Sequence, residues 1–211
     1  LNAGEGVKIG PFWKIVPPWV GTESAVDKEV LLRINPGAGF GTGTHETTQL
    51  CLTAIGEAAR MYAGENIRQS LANLKTLDFG SGSGILSIGL ALLGAPVDSV
   101  EVDTMAVDNA RENAELNEVT SLIRFSYELP SDELLYDIVV ANILRPVLIE
   151  FSEQLVLRLK TGGTLILSGL IAKDVPIILD RFCELLGISD RALAHVYEKA
   201  EWRSVVLRKF S

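Results

Sequence analysis

The 211-residue sequence is poor in the residues that build covalent or metal frameworks. It has two cysteines, Cys51 and Cys183, and two histidines, His45 and His195. Two thiols in apolar, helical surroundings read as small buried hydrophobes in a reducing, cytoplasmic setting rather than as a disulfide. With no C-x-x-C and no histidine cluster, no metal site is expected. No apolar run approaches the ~18 residues of a membrane span, so no membrane association is expected. The start, Leu1-Asn2-Ala3-Gly4, is not a signal peptide. It also lacks an initiator Met, as a piece of a longer protein would. Basic charge is scarce too: 19 Lys and Arg stand against 27 Asp and Glu, a net charge of −8. That argues against a nucleic-acid surface, which needs a basic stripe. It is compatible with a cationic substrate such as a basic protein, because acidic surfaces steer cations; its plainer reading is solubility. Internal repeats and low-complexity segments are missing as well.

What is present is a globular composition, 47% hydrophobic and 22% charged, enough for one large domain or one domain with an arm. Its centre is Leu77-Asp78-Phe79-Gly80-Ser81-Gly82-Ser83-Gly84-Ile85-Leu86. A short apolar strand empties into a glycine turn and then an apolar helix, which is how a nucleotide crevice is made. Gly80, Gly82 and Gly84 spell G-x-G-x-G. A dinucleotide fingerprint places its third glycine one residue later, which argues against a dehydrogenase. No Lys-Ser/Thr follows, so this is not a Walker loop. The spacing favours an adenosyl ligand without a pyrophosphate, such as S-adenosyl-L-methionine. A glycine-rich turn without a ligand is the plainer alternative.

Around this stretch the chain alternates. Residues 1–34 read as an N-terminal arm, a hairpin or extended leader broken at Pro17-Pro18, with Trp13 and Trp19 pinning it to the domain. Residues 35–211 read as the main domain. Strands are expected near 75–79, 97–102, 122–126, 137–142 and 164–168, the last entered through a Gly162-Gly163 turn. Helices are expected near 85–93, 104–117, from Pro146, and over 175–186. Two late strands, near 192–198 and 204–208, have no helix between them and read as an antiparallel edge hairpin. The apolar runs Ile138-Val139-Val140-Ala141 and Leu165-Ile166-Leu167 suit parallel strands buried on both faces. The expected fold is α/β, doubly wound, with a mainly parallel sheet.

In such sheets the ligand lies across the carboxyl ends of the strands. Asp78 ends the first of them and either orients the glycine turn or meets an amino group. Glu101 and Asp103 end the second, about twenty residues beyond the glycines, where a carboxylate accepts from ribose hydroxyls. Glu101 is the nearer; Asp103 alternatively starts the next helix. Asn142 ends the fourth. Its amide carbonyl can hold a nucleophilic amine and carries no charge to collapse with a sulfonium; otherwise it is an ordinary turn Asn. Before the first of these strands, Asn35-Pro36-Gly37-Ala38-Gly39-Phe40-Gly41-Thr42-Gly43-Thr44-His45-Glu46-Thr47-Thr48 packs four glycines and four threonines into fourteen residues. This is a loop ending at a helix that runs to about Tyr62, with Thr44 as its N-cap. Its hydroxyls either cap the helix or hold an anionic group, such as the carboxylate of a methionine moiety.

That loop, with Asp78-Phe79-Gly80-Ser81-Gly82-Ser83-Gly84-Ile85-Leu86, Val140-Ala141-Asn142-Ile143-Leu144 and Leu167-Ser168-Gly169, resembles the PrmA family, methyltransferases of large-subunit ribosomal protein eleven. The resemblance runs from about Trp13 to Lys209. It implies a seven-stranded class I S-adenosylmethionine-dependent methyltransferase that N-methylates lysine or α-amino groups of a protein and releases S-adenosyl-L-homocysteine. The family's cofactor contacts fall on Thr48, Gly80, Glu101 and Asn142. His45 is then a candidate base, or a residue lining the substrate. Three departures stand out: Glu101 where the family has Asp, Gly80-Ser81-Gly82 where it has Gly-Cys-Gly, and Glu46 where it has Pro. The family's N-terminal substrate-recognition domain is expected to be absent here. A methyltransferase acting on a small molecule or another protein, or a non-catalytic cofactor-binding module, are the other readings.

Overall fold

A computed structural model describes residues 6–21, 28–35, 44–64 and 66–211. Most of the glycine–threonine loop, residues 36–43, lies outside the described residues. The main sheet has seven strands: β4 (Thr76–Phe79), β5 (Val97–Val100), β6 (Ile123–Ser126), β7 (Tyr136–Asn142), β8 (Leu159–Ile171), β9 (His195–Lys199) and β10 (Trp202–Arg208). They lie in the order β6-β5-β4-β7-β8-β10-β9. β10 is antiparallel to both β8 and β9, which makes the expected edge hairpin, and the remaining pairs are parallel. The chain steps outward from β4 through β5 to β6, then returns to lay β7 on the other side of β4. The crevice of such a sheet opens at this reversal, at the carboxyl ends of β4 and β7.

Side-chain alternation gives the sheet two cores. Ile138, Val140 and Ile166 point to one face and pack with α1 (Glu46–Ala63) and α2 (Ile85–Leu92), which α3 (Thr104–Leu116) joins through Ala114. Leu77, Val139, Leu165 and Leu167 point to the other, toward α4 (Arg145–Glu150), α5 (Ser152–Leu157) and α6 (Val175–Leu186). This is the doubly wound arrangement expected from the apolar runs.

Three details differ from expectation. β8 begins at Leu159 and continues through Gly162 and Gly163, because its ladder is taken up on both sides: Leu159 pairs with Tyr136, and Gly162 N donates to Lys209 O at 2.6 Å. The N-cap of α1 is His45, not Thr44. His45 has the extended backbone (φ −62°, ψ 139°) of a cap, and its Nδ1 accepts from Thr47 N. Of the arm's tryptophans only Trp13 pins; Trp19 is 67% exposed.

The arm forms a small sheet of β1 (Val7–Ile9), β2 (Trp13–Val16) and β3 (Val30–Arg33), with β1 antiparallel and β3 parallel to β2. Trp13 Nε1 donates to Leu52 O of α1 at 2.6 Å. Its ring lies over glycines of two helices: a Cβ at Gly56 would come 3.0 Å from Trp13 Nε1, and one at Gly89 3.4 Å from its Cη2. Asn117, after α3, bonds both the N–H and the C=O of Arg33.

Candidate active site

A cavity of about 700 Å³ opens at the carboxyl ends of β4 and β7, within the size range of small-ligand sites. Its floor is the glycine turn. Gly80 (φ +74°) admits Ile143, whose Cγ2 would lie 2.4 Å from a Cβ placed there. Gly82 faces open space, with nothing within 4 Å of such a Cβ, so its main chain is bare to a ligand. Gly84 does not line the cavity. It lets α3 approach, with Ala110 Cβ only 2.8 Å from where its own would be. The turn is tied to β5, whose Val100 O accepts from Gly80 N and Ser81 N.

Glu101 also stands outside the cavity lining, yet it holds the turn directly. One carboxylate oxygen accepts from Gly82 N at 2.9 Å and the other from Asp103 N at 3.0 Å. A carboxylate has about four acceptor sites, so lone pairs remain for further donors. Asp103 caps α3 by accepting from Met105 N. Asp78 is fully enclosed beneath the turn. Oδ2 accepts from the Ser87 hydroxyl at 2.7 Å, while Oδ1 is buried without a partner. Burial pushes its carboxyl up to about 7, partly offset by the hydrogen bonds from Ser87 and aided by the charge of Glu101.

Asn142 stands on the opposite wall. The chain carrying it is gripped between Gly80 and Gly169 (φ +81°), where a Cβ would meet Ile143 O at 2.6 Å. Asn142 Nδ2 donates to Thr47 Oγ1 at 3.2 Å, and that oxygen lies 2.8 Å from His45 Nδ1. The His45 ring meets Trp202 edge-on, with centroids 5.2 Å apart and planes at 61°. Thr44, His45, Thr48, Gly80, Gly82 and Asn142 therefore share one cavity, while Asp78, Gly84 and Glu101 support it from outside.

Thr47, Ile143, Leu144 and Trp202 line the cavity and escaped the sequence reading. Thr47 was visible only among the hydroxyls at the start of α1, read as capping the helix or holding an anionic group. Trp202 arrives from the far edge of the sheet, with no local signal. Cys51, nearby in α1, is inert: burial pushes its thiol up to about 12. A second hollow of about 320 Å³ lies at the amino ends of the strands. Its Asp98 carboxylate is already taken by Arg124 and Tyr136. Among the described residues no cluster of three metal-ligating side chains occurs, and no helix is long and apolar enough to cross a membrane.

A sheet of this order, with a glycine turn after β4, an acid after β5 and a polar group at the end of β7, defines the class I S-adenosylmethionine-dependent methyltransferases. Structural comparison gives the same class. A crystal structure of ribosomal protein L11 methylase from Lactobacillus delbrueckii subsp. bulgaricus aligns with TM-score 0.75 at 26% identity, covering 99% of this chain and 100% of that one. The Thermus thermophilus 16S rRNA N2 G1207 methyltransferase RsmC, in complex with AdoMet and guanosine, aligns with TM-score 0.59 at 25% identity over 81% of this chain and 45% of its own. Within the class, the chain belongs to the ribosomal protein L11 methyltransferase (PrmA) family, whose model matches residues 5–210. The ribosomal protein L11 methyltransferase of Pelobacter propionicus is 35% identical over 99% of this chain and 63% of its own length. That of Geobacillus kaustophilus is 39% identical over 96% and 61%. The chain thus spans somewhat under two thirds of these curated relatives.

Proposed function

We propose that this chain binds S-adenosyl-L-methionine and methylates an amine nitrogen of a protein, with ribosomal protein L11 as the substrate its relatives' names indicate. The observation that carries the reading is the meeting, across one cavity, of a bare glycine main chain and an uncharged amide acceptor. The residues fit the cofactor. Gly80 and Gly82 offer main chain to an adenosine, and the free lone pairs of Glu101 suit ribose hydroxyls at charge-assisted strength. Asp78, enclosed beneath the turn, supports that floor through its bond from the Ser87 hydroxyl. Thr44 and Thr48, at the start of α1, suit a carboxylate.

The cofactor supplies a methyl group already activated on sulfonium. What the chain adds is orientation, worth about 7–11 kcal/mol when reacting atoms are held in line. Asn142 Oδ1 accepts a hydrogen bond from the acceptor amine and aims its lone pair. A lysine acceptor must first be neutral, which costs about 4.6 kcal/mol at pH 7 from an ordinary pKa near 10.4. Apolar Leu144 and Trp202 at the mouth would shed water against an entering acceptor and lower that cost by disfavouring the charged form, and the proton leaves to water. His45 is a lining group in this scheme. Its Nδ1 accepts from Thr47, so the neutral ring carries its proton on Nε2 and has no free nitrogen to act as base. The setting is the reducing cytoplasm.

Transfer of radiolabelled methyl from S-adenosyl-L-methionine to purified ribosomal protein L11 tests this directly. Label appearing on lysine or the α-amino group is the expected result. Tight S-adenosyl-L-homocysteine binding with no transfer to L11 would move the assignment to another acceptor or to a non-catalytic cofactor-binding module.

A further inference from the structure

We infer that Thr47 is a positioning residue for methyl transfer: its hydroxyl determines which end of the Asn142 amide faces the cavity. The inference rests on the reading of Asn142 as the group that holds the acceptor amine. The two ends of an amide have nearly the same shape, so only their hydrogen-bond partners distinguish them. If Asn142 turned over, it would present N–H donors to an amine that needs an acceptor.

The choice is made by a chain of polarity. His45 Nδ1 already accepts from Thr47 N at 3.3 Å, so that nitrogen carries a lone pair. The Thr47 hydroxyl, 2.8 Å away, therefore gives its proton to Nδ1. Only lone pairs of Thr47 Oγ1 are then left toward Asn142, and these demand a donor. Asn142 answers with Nδ2 at 3.2 Å, which leaves Oδ1 for the acceptor. Thr47 has no easy alternative. It is 6% exposed, and its carbonyl accepts from Ser168 Oγ of β8 at 3.4 Å. Ninety-five positions separate Thr47 from Asn142 in the chain, so only the fold brings the switch to the amide it sets.

The test compares Thr47→Val, which keeps the shape and removes the hydroxyl, with Thr47→Ser, which keeps the hydroxyl. Thr47→Val should lower kcat for L11 methylation about tenfold to a hundredfold, as misplacement of a reacting group does, with a smaller change in S-adenosyl-L-homocysteine affinity. Thr47→Ser should recover most of the rate. In protein labelled with ¹⁵N-asparagine and measured without acceptor, the Asn142 side-chain protons should exchange faster in Thr47→Val. Should that variant fail to fold, Thr47→Ala carries the same readings. Wild-type rates in Thr47→Val, equal losses in the Val and Ser variants, or unchanged amide exchange would each overturn the inference. If the wild type transfers nothing to L11, the reading of Asn142 falls, and the amide-exchange arm alone decides whether Thr47 holds that side chain.

Discussion

Asp78 is a carboxyl group in an unusual bind: enclosed, half-satisfied, and with its folded-state pKa raised from 3.8 to about 7. The consequence for stability has a definite sign. Above pH ~4 the unfolded chain releases this proton while the folded chain keeps it, so unfolding is favoured progressively until the folded group also ionises near pH 7. Stability of the ligand-free protein should therefore fall from pH 4 to pH 7 on account of this residue, by up to about 4 kcal/mol. Asp78→Asn should remove that slope. Thermal melts at pH 5 and pH 8 check it: the difference between variant and wild type should favour the variant more at the higher pH. Glu101 makes a second prediction at this scale. Its carboxylate holds Gly82 N and Asp103 N, so Glu101→Ala should weaken S-adenosyl-L-homocysteine binding about tenfold or more, read by titration calorimetry. Asp78 and Glu101 were legible as single letters because each sits in a local pattern, Asp78 at a strand end before a glycine turn and Glu101 as an acid at the end of the next strand. Thr47 was not, because its part is defined by an asparagine on another element.

Among the elements, glycines that look alike in sequence carry different loads. Gly82 and Gly169 both take a left-handed backbone, which costs any other residue about 1–2 kcal/mol. Beyond that they diverge. A methyl group at Gly169 would run into Ile143 O, on the segment that carries Asn142; at Gly82 it would meet nothing in the protein. Gly169→Ala should lower Tm and disturb Asn142. Gly82→Ala should lower Tm less and instead obstruct the cofactor floor, so that S-adenosyl-L-homocysteine affinity falls. Melting and titration of the two variants separate the cases. The alternation of strands and helices was readable because β7 and β8 are buried on both faces and write themselves as apolar runs. Element ends were harder. His45 caps α1 through a ring nitrogen, outside the usual small polar set, and β8 runs through two glycines because both neighbouring strands keep bonding it.

For the molecule as a whole, the arm and the domain share one core. Trp13 is buried at 1% exposure and is bonded to α1, so Trp13→Ala should cost about 3–5 kcal/mol, and the whole chain should unfold in one transition. Urea melts followed by far-ultraviolet dichroism and by fluorescence check both points; two separated transitions would show the arm to be an independent unit. Sequence named Trp13 and Trp19 as the pins of the arm, and the fold keeps only Trp13 in that part. The contact depends on two glycines, Gly56 and Gly89, that only the fold brings under one indole.

Those two glycines belong to α1 and α2, the helices whose first turns bracket the cavity. Trp13 is thus a keystone wedged at the rear of a pair of jaws. The same indole therefore packs on both helices whose first turns wall the cavity, so a change in its seating bears on the two walls together.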